Sequence, residues 1–256
     1  MLAEFAPDPL RLSYLVVLAL TVGAAIVVLR LPERKEGARE PWRPQWPRVP
    51  AEIRASFLRV SLTGGIGWAA LSLYLSIVPS YASSLLDTHA LAVLAAFATA
   101  ALLASSAVQW VMARRRGSWR RDQALGCVLV AVGLGGLILA APLRSFAVLL
   151  LGALVAGAGQ GLAFLAAQEE LNERAPDDRR GEVTAAFIAV TYACVAGSVI
   201  ASGLLALGMS LQSAVEAAAA SLVAVALGTA AWHVATSRAA APRRRAAARR
   251  SAVARR

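Results

Sequence analysis

Residues 123–168 read QALGCVLVAVGLGGLILAAPLRSFAVLLLGALVAGAGQGLAFLAAQ and contain a single charged side chain, Arg144. Two apolar runs, 123–141 and 146–168, make up most of this stretch, and each is close to the roughly 20 residues that a helix needs to cross a bilayer. The connection between them, residues 142–145, is too short for anything other than an antiparallel arrangement. The stretch therefore predicts a membrane-spanning helical hairpin.

The rest of the chain repeats this pattern. Apolar residues make up 58% of the 256 residues, and the mean hydropathy is +0.61, which is typical of the membrane class. We predict an all-α integral membrane bundle with seven transmembrane helices. The five further apolar runs are residues 12–31, 60–80, 89–113, 183–206 and 214–235.

The positive charge is distributed unevenly along the chain. A net charge of +11 would suggest nucleic-acid binding in a soluble protein. Here 24 of the 26 Lys and Arg residues fall in alternate connections, and only Arg11 and Arg144 lie on the other side. By the positive-inside rule we expect an inner (plasma) membrane protein with an outside N-terminus and a cytoplasmic C-terminus. Its partner is then the lipid bilayer rather than nucleic acid. The basic segments are residues 30–59, 114–121, 174–180 and 238–256.

Two segments interrupt the apolar pattern, and they divide the chain into four predicted parts. Residues 32–56 contain five prolines and mixed charge, which suits a cytoplasmic linker. They separate a lone transmembrane helix, residues 1–31, from a six-helix unit, residues 57–236. Residues 237–256 form a basic cytoplasmic tail that either contacts anionic lipid headgroups or is a solvated topological anchor.

No pattern in the chain indicates catalysis. Cys127, Cys194, His89 and His233 lie within or near the ends of the apolar runs, where packing is the favoured role, and they form no metal-ligand cluster. No nucleophile, base and orienting residue come together, and no cofactor motif is present. We therefore expect no enzyme activity, no metal and no cofactor.

Four further segments stand out when they are taken in order. They are APDPLR at 6–11 with RLPE at 30–33, VPAEIRASF at 49–57, RRRGSWRR at 114–121, and NERAPDDRRG at 172–181. Together these segments resemble the major facilitator superfamily. They are similar to the C-terminal half of a bacterial drug-efflux-like member, preceded by that family's sixth helix, and the resemblance covers residues 6–236.

The resemblance implies transport of a small molecule by alternating access, in which two six-helix halves rock around a central site. It also implies that this chain is an incomplete permease or efflux protein. Three alternatives stay open: an inactive truncated fragment, a half-transporter that pairs with a missing N-terminal half or with itself, and an accessory membrane protein that does not transport.

Polar residues at helical spacing give candidates for the substrate cavity. Trp68, Ser72 and Ser76 recur every four residues and therefore share one helix face. The alternative is that the two serines bond back to their own helix while Trp68 packs against a neighbour. Uncharged polar groups at membrane depth must find partners or line water, which adds further candidates. These are Gln109, Gln160, Thr191 and Tyr192.

A second group of candidates is charged. No acidic residue falls well inside an apolar run, so we expect a residue that couples transport to protons to lie outside this half. Cytoplasmic charges implied by the family architecture could hold an inward gate shut through ion pairs, or could simply form a solvated loop. The gate candidates are Arg114, Arg115, Arg116, Glu169, Glu173 and Arg180.

Overall fold

The computed structural model describes residues 9–31, 48–76, 78–86, 90–115 and 118–253. Within these residues the protein has eight α-helices and no β-strand, so the all-helical class is confirmed. Short 3-10 turns at Ala51–Ile53 and Asp177–Arg179 precede two of the helices. The helices are α1 (Pro9–Leu29), α2 (Arg54–Ser76), α3 (Val78–Leu86), α4 (Leu91–Met112), α5 (Trp119–Leu143), α6 (Phe146–Arg174), α7 (Arg180–Gly208) and α8 (Leu211–Val253).

Five helices in the described part of the chain, α4 to α8, are long and apolar enough to cross a membrane. The prediction of seven spans is therefore not confirmed. The apolar stretch of α1 covers only Tyr14–Leu29. Helix α2 is long enough, but it carries buried polar residues such as Arg59 and Thr63 in place of a continuous apolar run.

Several predicted boundaries need correction. Residues 81–88 were expected to be a connection, but α3 continues through Leu86 and buries Tyr81. Helix α2 begins at Arg54, inside the predicted linker, and α6 continues six residues past 168 to Arg174. The apolar runs mark the part of each helix that suits lipid. Beyond that depth the backbone hydrogen bonds of the helix continue through polar residues, so the helices are longer than the apolar runs.

The helices divide into two compact units. Helix α1 belongs to the first unit, and its apolar side chains are exposed along its length, as Leu20 and Leu29 illustrate. Helices α2 to α8, apart from the first residues of α4, belong to the second unit. The candidate site lies entirely within this second unit.

The quoted hairpin forms as predicted, with α5 and α6 joined only by Arg144 and Ser145. Arg144 adopts a left-handed conformation (φ 43°), which reverses the chain, and the Ser145 hydroxyl accepts a hydrogen bond from the Val148 N–H at 3.4 Å. Glycines then bring the helices together. A Cβ on Gly126 would lie 2.6 Å from the Ala163 nitrogen, so only glycine permits this backbone approach.

Helix α2 occupies the centre of the unit and packs against α5, α6, α7 and α8. More than half of its residues are buried, including Leu71, Leu73 and Tyr74. The Tyr74 hydroxyl donates to the Gly133 carbonyl of α5 over 2.8 Å, which satisfies a buried polar group. Because α2 has protein on most sides, it tolerates polar residues that lipid would exclude.

Gly157 and Gly161 allow a second close contact between helices. A Cβ on Gly157 would overlap the backbone of Ala101, and one on Gly161 would overlap that of Ser105. Both neighbours belong to α4, so this pair of glycines seats α4 against α6.

Candidate functional site

A groove of about 490 Å³ runs between α2 and α7. It brings together five of the seven predicted cavity residues, although they come from segments about 120 residues apart in the sequence. These five are Trp68, Ser72 and Ser76 on α2 and Thr191 and Tyr192 on α7. The rest of the lining is apolar: Leu75, Phe164, Ile188, Val195 and Val199.

Aromatic rings form one end of this groove. The Trp68 ring meets the Phe164 ring of α6 edge-on, with centroids 5.8 Å apart and planes at 84°. Phe164 in turn stacks on Phe187 of α7 at 5.6 Å. Gly64 makes room for this arrangement, because a Cβ there would lie 2.7 Å from the Phe187 ring. The two phenylalanines were missed in the sequence, where nothing distinguishes them from lipid-facing residues.

The serines of the groove bond largely to their own helices. Ser72 donates to the Ala69 carbonyl at 2.7 Å, and Ser76 donates to the Ser72 carbonyl at 2.6 Å. The Ser72 hydroxyl also lies 3.2 Å from the Ser198 hydroxyl of α7. The two serines therefore line the groove. Because their O–H groups already donate to the backbone, they would mainly accept hydrogen bonds from a ligand.

Three polar groups of the groove have no partner among the described residues. The Thr191 hydroxyl is buried and unpaired. The Tyr192 side chain is 70% exposed, and no described residue accepts from its hydroxyl or from the Trp68 indole N–H. An apolar groove with a few convergent hydrogen-bonding groups is the usual form of a small-molecule site.

The two glutamine candidates lie elsewhere. Gln160 is buried between α4 and α6, and its side-chain oxygen accepts from the Ser105 hydroxyl at 2.6 Å. Gln109 donates to the same hydroxyl at 3.1 Å. The structure thus places both glutamines in a polar ladder between two packed helices and not in the groove. Ser105 therefore gives Gln109 and the Gln160 side-chain oxygen a partner, whereas the Gln160 amide nitrogen is buried with no acceptor among the described residues.

A buried ion cluster, which the sequence did not predict, lies at the opposite end of α2 from Ser76. Glu170 of α6 has no exposed surface, and it pairs with Arg59 of α2 and with Arg174 at 2.9 Å. Gln123 of α5 donates to the same carboxylate at 2.8 Å. The sequence places Arg59 and Glu170 in charged connections, for which ion pairs with Arg114, Arg115 and Arg116 or a solvated loop were the two alternatives, and the pairing with Arg59 was not expected. The spacing of Arg59, Thr63 and Gly67, one helical turn apart, is the signal that could have revealed a second polar face of α2.

The charged gate candidates make mainly local contacts. The Arg114 guanidinium stacks on the Trp110 ring at 3.9 Å, and Arg180 pairs with Asp177 at 2.8 Å. Glu173 accepts from the Trp119 indole N–H at 2.7 Å. Among the described residues, no ion pair joins Arg114 or Arg115 to an acidic side chain.

The remaining gate candidates are differently placed. Arg115 and Glu169 line one cavity of about 200 Å³ together with Asp122. Arg116 lies outside the described residues.

A family model described as Major Facilitator Superfamily matches residues 2–201, which is most of the 256-residue chain. The chain belongs to the major facilitator superfamily. No curated protein and no solved structure gives a significant match. The matched region runs from α1 through most of α7 and includes both walls of the groove.

Membership of this superfamily agrees with the physical properties of the chain. Members are transporters rather than enzymes, and the five apolar helices give a multi-pass membrane protein. The chain is thus a membrane transport protein that lies in a lipid bilayer and acts on small substrates. The groove between α2 and α7 is its best candidate for contact with such a substrate.

Proposed function

We propose that this chain moves a small, uncharged, lipophilic molecule across the inner (plasma) membrane by alternating access, with the α2–α7 groove as one wall of the substrate path. The observation that carries the proposal is the convergence of Trp68, Thr191 and Tyr192 on one groove. The Thr191 hydroxyl is buried without a partner, and no described residue accepts from Trp68 or Tyr192. Apart from two serines, the rest of the groove is apolar. Alternating access rather than covalent chemistry is the mode of the family.

The lining of the groove supports this substrate class. None of the described residues that line the groove is charged, so a phosphorylated or zwitterionic molecule would lose hydration there without gaining a counter-charge. The aromatic surface of Trp68 and Phe164 suits a flat apolar molecule, and the Tyr192 hydroxyl suits one carbonyl, amine or hydroxyl on it. The expected direction is export, following the drug-efflux-like resemblance.

We further propose that the groove is covered in the working protein by a second six-helix half or by a second copy of the chain. Tyr192 is 70% exposed and Ile188 is 41% exposed, so the groove is open on one side of its own unit. A polar hydroxyl exposed to hydrocarbon is costly, and a facing half would remove that cost. The seven spans, the outside N-terminus and the cytoplasmic basic tail belong to the same proposal, which rests on the distribution of arginine.

The gate remains part of the proposal in a revised form. Arg115 and Glu169 line one cavity at the arginine-rich end of the bundle, although they form no ion pair there. We propose that they approach each other when the protein opens to the other side. The Arg115→Glu variant should then shift the protein toward the inward-open state, whereas a variant with unchanged accessibility from the cytoplasm would contradict this role.

The transport proposal can be tested with the uncharged lipophilic dye N-phenyl-1-naphthylamine. Energised cells that express the chain are loaded with the dye, and its loss is followed by fluorescence. We expect faster loss than in cells without the chain, and slower loss in the Tyr192→Ala and Trp68→Ala variants. The matched control is Leu139→Ala, which removes a 55% exposed side chain of α5 far from the groove. Equal dye loss from all of these cells would contradict the proposal.

A further inference from the structure

Three tryptophans mark one level of the bundle. Trp110 and Trp119 lie near the arginine-rich ends of α4 and α5, and Trp232 lies near the end of the apolar part of α8, Leu211–Arg238. Trp110 is 63% exposed and Trp232 is 38% exposed. Tryptophan rings concentrate at the headgroup level of membranes, where one end of the ring is apolar and the other is wet. This level is therefore where lipid phosphates meet the protein.

Arginines accompany the tryptophans at this level. The Arg120 guanidinium lies 4.9 Å from the Trp119 ring and within 3.5 Å of the Thr236 carbonyl of α8, so it joins α5 to α8. Arg121 and Arg238 follow on these same two helices, and both are exposed. These three residues are called here the α5–α8 arginine patch.

The three arginines of the patch form no ion pair with a described residue. No carboxylate in the described part of the chain lies within 4.0 Å of their guanidinium nitrogens, and the Arg120 Nε atom is buried with no acceptor. Asp122 follows Arg121 on α5 and interacts with it electrostatically, but it forms no ion pair with it. Glu173 accepts from Trp119, and Asp122 is half-buried and lines the cavity that it shares with Arg115.

We infer that the α5–α8 arginine patch binds the phosphate headgroup of an anionic phospholipid. Guanidinium groups match phosphate oxygens in geometry as well as in charge. The helix surface one or two turns deeper is apolar and exposed, with Leu125 and Val128 on α5 and Val234 on α8, and it suits the acyl chains of the same lipid. The positive charge of the arginines, their position at the headgroup level and the exposed apolar surface below them together favour a lipid over a soluble anion.

The test is a titration of the purified full chain with dansyl-labelled phosphatidylglycerol, followed by energy transfer from tryptophan. Each arginine near an anionic headgroup contributes about fivefold in affinity. We therefore expect the triple variant R120Q/R121Q/R238Q to bind about 10- to 100-fold more weakly. The matched control is R243Q/R244Q/R245Q, which removes the same charge from the tail and should change the affinity by less than about threefold.

Two further arms separate a headgroup site from binding through the acyl chains alone and from a site for a soluble anion. Dansyl-labelled phosphatidylcholine should bind more weakly than phosphatidylglycerol and equally to all three proteins, which also reports that the triple variant is folded. Inorganic phosphate should not displace the labelled lipid, because it lacks the chains that occupy the apolar surface.

Two results would overturn the inference: a tail variant that loses as much affinity as the patch variant, or displacement by inorganic phosphate. If the triple variant does not fold, the single variant R121Q changes only an exposed side chain and should still bind about fivefold more weakly. An unchanged affinity of R121Q would also overturn the inference.

Discussion

The close approach of α5 and α6 can be tested by adding one methyl group at each of two glycines of the same helix. A Cβ on Gly126 would lie 2.6 Å from the Ala163 nitrogen and 2.8 Å from its Cα, whereas a Cβ on Gly135 meets nothing within 4 Å. Ordinary van der Waals separation between such atoms is about 3.5 to 4 Å. The Gly126→Ala variant must therefore push the two helices apart by roughly 1 Å or more at this point.

The pair of variants isolates the packing term. Both substitutions gain helix propensity, about 1 kcal/mol at most, and this gain cancels in the comparison. Overpacking a well-packed contact costs about 1 to 3 kcal/mol. We therefore expect the Gly126→Ala protein to be less stable than the Gly135→Ala protein by about 1 to 3 kcal/mol, which is a factor of roughly 5 to 150 in the unfolding equilibrium.

The assay is reversible unfolding in mixed micelles with increasing SDS, followed by tryptophan fluorescence. The free energy of unfolding is compared between the two variants at one SDS fraction. Equal stability of the two variants, within about 0.5 kcal/mol, would refute the claim that glycine is needed for the α5–α6 contact.

Three other substitutions test separate features by the same unfolding measurement. Glu170→Gln breaks the buried ion cluster and should lower the free energy of unfolding by about 3 to 5 kcal/mol. Its control, Glu52→Gln, changes an exposed carboxylate and should cost less than about 0.5 kcal/mol. Equal effects of the two substitutions would contradict the importance of the cluster. His233→Ala removes the 2.8 Å contact with Thr63 and a buried ring, and it should cost at least about 1 kcal/mol; unchanged stability would count against that contact. Arg144→Gly removes the strain of a left-handed conformation in a non-glycine residue and should stabilise the protein by up to about 1 kcal/mol. A loss of stability would argue that the Arg144 side chain matters more than its backbone conformation.

Much of the helical arrangement could be predicted because a helix that crosses a membrane needs a long apolar run, which is easily recognised in the sequence. The hairpin of residues 123–168 is an example, since its two long apolar runs and short connection permit one arrangement only. Helix α2 shows the limit of this reasoning. Its buried Arg59 and Thr63 lower its hydropathy because other helices surround it, and hydropathy alone does not reveal which helices do so.

The candidate groove was partly predictable for the same reason. A four-residue spacing placed Trp68, Ser72 and Ser76 on one face of α2, and the structure puts them in one groove. The distance between α2 and α7 in the sequence hides which residues complete that groove. Gln160 shows what the sequence leaves open. A buried amide needs a hydrogen-bond partner, but the sequence does not tell whether that partner is a ligand or a neighbouring serine.

The most direct test of the groove as a solvated substrate path is the reaction of introduced cysteines with a charged, water-soluble thiol reagent. Single cysteines replace Ser76 or Tyr192 in a chain whose Cys127 and Cys194 are changed to alanine. The control position is Val132, which is 59% exposed in the middle of the apolar helix α5. Only the thiolate attacks the reagent, and the thiolate forms in water and not in hydrocarbon. We predict labelling at Ser76→Cys and Tyr192→Cys at least about tenfold faster than at Val132→Cys. Labelling of all three positions at the same slow rate would contradict the account.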